Sequence, residues 1–233
     1  MIKRFLLFLL VLIGITFALQ LALPSIVSSF LENKMANYVQ SDSIKIKAEK
    51  APAYHMLVGN FDTITLDAKN TQIDKITFKS MHIVLNEVKL DETVLLQEKK
   101  AVLKEVGLIT LKAILTEKEI STYLNANVKG LQNAIVSIET DNKATISGEL
   151  TIGGFTAVGL KLQGRIIKDG KKAKFMPEQF SINDKKVGDS IVKGNILSEI
   201  TILDASKLPF NVTIKEIISE KGQIIINADN TLI

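Results

Sequence analysis

Histidine and cysteine, the residue types that most often carry metal or nucleophilic chemistry, are scarce in this chain. Its 233 residues include no cysteine and only two histidines, His55 and His82. Neither histidine has a second histidine at ligand spacing, so we interpret both as structural and predict no metal site. The lack of cysteine removes disulfides, thiolate metal sites and cysteine nucleophiles. A Ser-His-Asp triad would need one of these two histidines, and the sequence contains no Gly-x-Ser-x-Gly elbow.

Paired carboxylates remain as a route to catalysis, because two of them can cleave a glycosidic bond. Glu117 and Glu119 are the obvious pair. Thr116 and Glu119, however, have the spacing of a helix-capping box, in which each side chain binds the other residue's backbone N–H. Gly153-Gly154 is followed neither by Lys-Ser/Thr nor by a helix, which excludes a phosphate-binding loop. We therefore expect no catalytic residue, no cofactor and no enzymatic activity.

The charge balance argues against nucleic acid as a partner. The net charge is +4, and Lys3 and Arg4 account for two of these charges. The remaining excess is too small for a nucleic-acid footprint, and the lysines alternate with acidic residues instead of forming blocks. A soluble, mixed surface is the favoured interpretation, and a mild attraction to anionic lipid headgroups is the alternative.

The strongest pattern in the chain is the apolar run Phe5–Ala22, which has no charge and only Thr16 and Gln20 as polar interruptions. A helix of about 19 residues is roughly 28 Å long, close to the thickness of the hydrocarbon core of a bilayer. Because Lys3 and Arg4 precede the run, the rest of the chain is expected on the extracytoplasmic side.

Residues 1–23 are thus predicted to be either a cleaved signal peptide or a retained transmembrane anchor. Thr16-Phe17-Ala18 offers small residues for cleavage, which favours a signal peptide. The apolar run continues past Ala18, and Pro24 hinders cleavage after Ala22, so the length favours retention slightly. Lipoprotein processing needs a cysteine and is excluded. The protein is expected at the cell membrane, anchored there or secreted.

A helix is predicted directly after this segment, with Pro24 in its first turn. Its apolar residues recur at three- and four-residue spacing; they are Ile26, Val27, Phe30, Leu31, Met35 and Tyr38. Packing on the core of its own domain is the favoured interpretation. The alternative is that this helix lies against lipid, either a bound molecule or the bilayer surface.

The apolar period then changes to two, which is typical of strands with one apolar face. Such runs start at Ile44, Ile64, Ile76, Met81, Ala144, Val158, Ala173, Ile191, Val212 and Ile224. Turns or breaks are predicted at Gly59-Asn60, Lys69-Asn70, Asp169-Gly170 and Lys221-Gly222. The capping box begins a second helix that carries Ile120, Tyr123 and Leu124 and ends near Asn125–Asn127. Between Leu90 and Glu105, short helix and loop both stay open.

These elements predict an α+β fold with two main helices and nine or ten strands in an antiparallel sheet. We expect a single β-rich domain over residues 24–233. Two helices of 12 to 16 residues are too short to cover ten strands. Either the sheet rolls on itself, or it leaves a hydrophobic groove suited to acyl chains, whose entry is driven by burial of apolar area.

Several short motifs run through almost the whole exported part. They are Gly59-Asn60-Phe61-Asp62-Thr63-Ile64, Leu115-Thr116-Glu117-Lys118-Glu119-Ile120, Lys174-Phe175-Met176-Pro177-Glu178, Leu208-Pro209-Phe210-Asn211-Val212-Thr213-Ile214 and Glu220-Lys221-Gly222-Gln223-Ile224. In their order and spacing these motifs resemble the LmeA-like phospholipid-binding proteins of the bacterial envelope.

The resemblance implies an elongated, strongly curved antiparallel β-sheet with the two helices packed on it, similar to tubular lipid-binding domains. It also implies phospholipid binding in the cell envelope, and it carries over no catalytic residue. The main hypothesis is therefore non-enzymatic binding, with transfer as a further option, of phospholipid or a similar acyl-chain lipid at the outer face of the cytoplasmic membrane. The acyl chains would lie between the sheet and the helix residues Ile26, Phe30, Ile120 and Leu124.

Two other classes of function stay open from the sequence. A structural or protein-binding envelope module would use the open sheet face for a partner and would have an interior filled by side chains. An envelope hydrolase would need a polar cleft with two carboxylates about 5–10 Å apart.

Overall fold

The structure is a computed structural model, and it describes residues 2–37, 39–73, 75–98, 102–152, 156–183, 185–186, 200–208 and 211–231. The helices are α1 (Ile2–Ala36), α2 (Glu92–Glu98) and α3 (Glu117–Asn127), with short 3-10 helices at Ala53–Val58 and Ala205–Lys207. The strands are β1 (Ser43–Glu49), β2 (Asn60–Ile73), β3 (Ile76–Leu90), β4 (Leu103–Glu105), β5 (Ile109–Thr116), β6 (Leu131–Ile138), β7 (Lys143–Ile152), β8 (Thr156–Asp169), β9 (Lys172–Ile182), β10 (Lys185–Lys186), β11 (Ile200–Asp204), β12 (Thr213–Glu220) and β13 (Gln223–Asp229).

The strands form two antiparallel sheets, which confirms the predicted α+β class. The first has the order β1-β2-β3-β5-β13-β12, with β4 paired to β3, and the second has the order β10-β9-β8-β7-β6, with β11 paired to β9. The described part of the chain contains more strands than the nine or ten predicted. The two shortest strands, β4 and β10, have three and two residues, too few to show a period of two.

The two hairpin predictions with a left-handed glycine are confirmed. Asp169 pairs with Lys172 across a two-residue turn in which Gly170 has φ +56°. In the last hairpin, Glu220 pairs with Gln223, and Gly222 has φ +86°. A residue without a Cβ adopts these positive φ values without steric cost, so the sequence signal and the backbone conformation agree.

The predicted break at Lys69-Asn70 is wrong, because β2 runs through it from Asn60 to Ile73. Asn70 does adopt the left-handed conformation that the break would require, with φ +47°. Its side chain donates to the Asp42 carboxylate at 2.7 Å, and the Lys69 carbonyl accepts the Asp42 N–H at 3.1 Å. Asparagine tolerates this conformation locally, so the distortion does not end the strand.

The prediction that a separate helix starts at Pro24 is also wrong. Helix α1 is continuous from Ile2 to Ala36, and Pro24 lies inside it. A proline in a helix interior removes one hydrogen bond, but long apolar helices tolerate it. Tyr38, assigned to the same predicted helix, lies outside the described residues.

The segment between Leu90 and Glu105, which the sequence left undecided, contains α2 and then β4. Asp91 caps α2, because one carboxylate oxygen accepts the N–H groups of Thr93 and Val94, each at 3.0 Å. The two elements have seven and three residues, which is too short for periodicity to separate helix from loop,.

The chain divides into two compact units. Unit 1 comprises residues 1–40, 44–68 and 82–109, and unit 2 comprises residues 41–43, 69–81 and 110–233. The predicted single domain over residues 24–233 stays a prediction.

The core of unit 1 lies under the second half of α1. It consists of Leu31, Ile46, Ala48, Met56, Phe61, Ile64, Val88 and Leu90. Val27, Phe30 and Met35 of α1 pack against this cluster and are partly buried. The favoured interpretation of this amphipathic stretch, packing on a protein core, is therefore confirmed.

In unit 2, α3 is attached to β6, the edge strand of the second sheet, by a ladder of side-chain hydrogen bonds. Glu117 Oε1 accepts the N–H of Ile138 at 2.7 Å, Ser121 Oγ accepts that of Val136 at 2.9 Å, and Asn125 Oδ1 accepts that of Ala134 at 2.7 Å. Four helix residues advance about 6 Å and two strand residues about 6.8 Å, so side chains four apart on the helix meet N–H groups two apart on the strand. The predicted capping box, in which Glu119 accepts the N–H of Thr116 at 2.8 Å, begins the same helix.

Unit 1 contains the same arrangement between α1 and β1, the edge strand of the first sheet. Glu32 Oε1 accepts the N–H of Ile46 at 2.7 Å, and Ser28 Oγ accepts that of Ala48 at 2.9 Å. Further towards the start of α1, Gln20 Oε1 accepts the N–H of Ala53 at 2.6 Å. In both units, acceptors on a helix thus satisfy the outward N–H groups of an edge strand, which otherwise invite pairing with another chain.

The ladder in unit 2 predicts that Ser121→Ala lowers the free energy of unfolding by about 1–3 kcal/mol, because the N–H of Val136 is left without an acceptor. Urea unfolding of the full chain in detergent measures this change. Thr122→Ala is the matched control, since Thr122 is exposed on the same helix, and it should leave stability unchanged. Equal stability of the two variants would contradict the role given to the ladder.

Candidate functional site

The apolar interior of unit 2 lies beneath α3. Ile120 and Leu124, two of the predicted lipid-lining residues, are 1% and 0% exposed. They border a small apolar cavity together with Val136, Ala144, Ile146, Ile166, Phe175, Ile200 and Ile202. Its volume is about 10 Å³, roughly the space of a single water probe. The contact between α3 and the sheet is therefore closely packed.

A larger cavity of about 240 Å³ lies beside it, and Ile202 lines both. Its other lining residues are Ile73, Ile76, Tyr123, Thr201, Leu203, Asp204, Lys207 and Leu208. Pockets for drug-sized ligands have volumes of about 300–1,000 Å³, so this one has room for part of an acyl chain. The sequence placed Tyr123 on the same face of α3 as Ile120 and Leu124, and the structure brings it to this cavity.

Charged groups of both signs belong to the lining of the larger cavity. Asp204 accepts hydrogen bonds from the Ser206 hydroxyl at 2.6 Å and from the Ser206 N–H at 3.0 Å, and Lys172 Nζ lies 3.9 Å from the carboxylate. The hydrogen bond from the Ser206 hydroxyl is the main cause that lowers the pKa of Asp204. Asp204 is therefore ionised at neutral pH and stands with the ammonium of Lys207 in the lining of an otherwise largely aliphatic cavity.

Unit 1 contains an open, polar cleft of about 530 Å³. It is lined by Lys50, Ala51, Pro52, His55, Asn60, Phe61, Asp62, Glu87, Val88, Lys89 and Glu105. Lys50 Nζ lies 2.5 Å from Asp62 Oδ1, and the Ala51 N–H donates to Asp62 Oδ2 at 3.0 Å. The hydrogen bond from Lys50, followed by that from Ala51, lowers the pKa of Asp62. A general acid needs a raised pKa, so the cleft does not give the hydrolase hypothesis a proton donor at Asp62.

The first half of α1 carries an unusual apolar surface. Its large aliphatic and aromatic side chains between Leu9 and Leu21 are 40–70% exposed. Among the described residues, the Leu9–Ala36 stretch of α1 is the one helix long and apolar enough to cross a membrane. The stretch is followed by Leu23, which is buried and belongs to unit 1. The first half of α1 thus presents an apolar surface that has no protein partner among the described residues. The second half of the same helix packs on the core of unit 1.

Comparison with protein families identifies a match over residues 19–229, nearly the whole chain, to the model described as LmeA-like phospholipid-binding. The chain belongs to this family. Searches of curated proteins and of solved structures find no match. Membership in the LmeA-like family supports lipid binding as the general function, and the family is a lipid-binding family, not a known enzyme family.

The four lipid-lining residues predicted for this LmeA-like chain fall into two pairs. Ile120 and Leu124 lie side by side in the interior of unit 2. In unit 1, Phe30 is partly buried against the core, whereas Ile26 is 62% exposed. Their role as the lining of a lipid site remains a prediction.

The two histidines of the LmeA-like chain lie in unit 1. His82 Nδ1 is 2.7 Å from Asp67 Oδ1, and the His55 ring stands 4.4 Å from the ring of Tyr54. In the described ranges, no three His, Asp or Glu side chains are grouped closely enough to hold a metal ion.

Two features were not predicted from the sequence. They are the polar residues at the 240 Å³ cavity of unit 2 and the two ladders of hydrogen bonds between a helix and an edge strand. Asp204 is the last residue of β11 and Lys207 ends the 3-10 helix after it, but a strand pattern does not show which cavity the end of the strand reaches. The four-residue spacing of Glu117, Ser121 and Asn125 was a readable signal for one ladder. Polar residues at this spacing also occur on solvent-exposed helix faces, so the spacing alone does not identify a strand as their partner.

The ion pair in unit 1 predicts the effect of Asp62→Asn on the backbone that leads into the first 3-10 helix. The neutral amide loses the hydrogen bond from Lys50 and weakens that from Ala51, so hydrogen exchange at the Ala51 N–H should become faster at pH 7. Because the pKa of Asp62 is lowered on folding, the stabilisation exists above its ordinary value of 3.8 and disappears as pH falls through the lower folded value,. Asp67→Asn is the control on β2, and unchanged exchange at Ala51 in Asp62→Asn would refute this account.

Proposed function

We propose that this chain binds phospholipid at the outer face of the cytoplasmic membrane without catalysing a reaction. The supporting observation is that α1 continues unbroken from an exposed apolar stretch at Leu9–Leu21 into residues that pack on the core of unit 1. The apolar stretch needs a hydrocarbon environment, and Lys3 and Arg4 before it favour a cytoplasmic N-terminus. Family membership supplies the chemical class of the ligand.

The proposed entry point for an acyl chain is the 240 Å³ cavity of unit 2. Its aliphatic walls favour burial of methylene groups, each worth about 0.8 kcal/mol. Asp204 and Lys207 offer one charge of each sign to a polar headgroup. The cavity adjoins the contact between α3 and the sheet through Ile202, so a longer chain would extend towards Ile120 and Leu124 by displacing α3.

Ile26 is proposed to contact lipid from unit 1. It lies on α1 two residues after Pro24 and keeps 62% of its surface exposed, although Val27 and Phe30 beside it pack on the core. A retained anchor would hold this surface beside the bilayer and would favour binding in place. Transfer of lipid across the envelope would require release of the anchor.

Filling the larger cavity tests the proposed lipid site. Thr201→Trp places a large ring at a partly buried position of the lining and should lower the amount of co-purified phospholipid several-fold in native mass spectrometry of the full chain. Thr145→Trp is the matched control, since Thr145 is also partly buried in unit 2 but lies on β7 outside that lining. It should retain the lipid of the unaltered chain.

Equal lipid content in both variants would reject the cavity as the site, and lipid-free unaltered protein would reject phospholipid binding itself. The second outcome would favour a protein-binding envelope module. The close packing beneath α3, with only about 10 Å³ of free space, is the observation that favours this alternative. A stable crosslinked complex with a protein partner, in the absence of lipid, is what it predicts.

The proposal also includes retention of residues 1–23 as an anchor. Helix α1 is uninterrupted at Thr16-Phe17-Ala18, and its first 19 residues are about 28 Å long, enough to span the hydrocarbon core,. The intact mass of the protein extracted from membranes should therefore include these residues. A mass that begins after Ala18 would show that the segment is a cleaved signal peptide.

A further inference from the structure

The first 3-10 helix, Ala53–Val58, exposes half of its residues as large apolar side chains. Ala53 and Met56 point into unit 1 and are 0% and 2% exposed. Tyr54, Leu57 and Val58 are 54%, 51% and 41% exposed. A solvent-facing turn of this length ordinarily carries polar residues, so this composition indicates a contact surface.

Two further exposed apolar residues adjoin this turn. The N–H of Leu90 donates to the carbonyl of Gly59, which ends the 3-10 helix, at 2.8 Å. Leu90 is in register with Leu103 of β4, and the next residue, Asp91, donates to the Val102 carbonyl at 2.8 Å. Val102 and Leu103 are 44% and 39% exposed. Tyr54, Leu57, Val58, Val102 and Leu103 together are named the apolar foot.

A hydrogen bond places the foot at a defined level along α1. Gln20 Oε1 accepts the N–H of Ala53 at 2.6 Å, and Gln20 is the last polar residue of the exposed apolar stretch. The helix from Ile2 to Gln20 is about 28 Å long, the thickness of the hydrocarbon core. If Lys3 and Arg4 lie at one membrane surface, Gln20 lies at the other, and the foot lies beside it.

We propose that the apolar foot inserts into the interfacial zone of the outer leaflet and is a second membrane contact of unit 1. This inference rests on the proposed membrane location and adds the surface through which unit 1 is oriented. A bilayer is the occupant because the foot is continuous with the helix that enters it. The residue types also suit the membrane interface. Tyr54 has an apolar ring and a polar tip, which suits the headgroup level, and Lys104, directly beside Leu103 on the exposed strand β4, can face the headgroups,. Interfacial segments of this kind insert about 5–10 Å.

The absence of cysteine makes a depth measurement direct. Leu57→Cys and Leu103→Cys, introduced one at a time into the full chain, carry a nitroxide in vesicles of equal parts phosphatidylethanolamine and phosphatidylglycerol. Collision rates with oxygen, which concentrates in lipid, and with a water-soluble nickel chelate report the depth. Lys45→Cys is the matched control. Lys45 is exposed on β1 of the same unit, and its neighbour Ile46 binds Glu32, about 18 Å further along α1 than Gln20,.

The ratio of oxygen to nickel collision rates is expected to be several-fold higher at Leu57 and Leu103 than at Lys45. A ratio equal to that of Lys45, in protein that still floats with the vesicles, contradicts insertion of the foot and leaves the proposed membrane location intact. Protein that does not float with the vesicles overturns both. Exclusion of both reagents at Leu57 also overturns the foot, because it shows that a protein surface or a second copy of the chain covers it.

Discussion

The hydrogen bonds between a helix and the outward N–H groups of an edge strand are the interaction on which the rest of this structure depends. In unit 2 three acceptors on α3 serve three alternate residues of β6, and in unit 1 Ser28 and Glu32 serve two alternate residues of β1. A buried N–H without an acceptor costs about 1–3 kcal/mol, so each ladder strongly disfavours any other placement of its helix. The ladders also occupy outward N–H groups of the edge strands β1 and β6, which hinders pairing of these strands with another chain.

This arrangement decides what the apolar faces of the helices can do. With α3 held along β6, Ile120 and Leu124 are directed onto the sheet and lose nearly all contact with solvent. The space left beneath them is smaller than a methylene chain requires, so lipid can reach these residues only if the helix yields. The larger cavity beside them, with Tyr123 and the charged pair Asp204 and Lys207, is the part of unit 2 that is already open. Binding and helix displacement are thus physically coupled in the proposed function.

In unit 1 the same type of ladder has a different consequence, because its helix is the continuation of the apolar N-terminal stretch. Ser28 and Glu32 fix the second half of α1 on β1, and Gln20 binds the N–H of Ala53 in the first 3-10 helix. One continuous helix therefore connects the apolar stretch to the folded core, with Pro24 inside it. In the proposed membrane location, this helix would set the orientation of unit 1 on the bilayer, and the apolar foot would lie at the level where the helix leaves the hydrocarbon.

The sequence by itself determined the elements with a strong local cause: the apolar run before Pro24, the capping box at Thr116, the hairpins at Gly170 and Gly222, and the strands with alternating burial. The family resemblance, carried by short motifs in order, was likewise readable and is confirmed by the match over residues 19–229. Local signals of this kind depend on neighbours within a few residues, so the chain alone specifies them.

Only the tertiary structure decided that α1 passes through Pro24, that β2 passes through Asn70, and that Ser28, Ser121 and Asn125 serve backbone groups on strands nine to twenty residues away. It also separated Ile26 and Phe30 from Ile120 and Leu124 into two units and brought Asp204 and Lys207 to the lining of a cavity. The physical reason is the same in each case. A backbone N–H donates to any suitably placed oxygen, so the sequence supplies the acceptors but does not determine their partners. The packing of distant segments selects which pairs form.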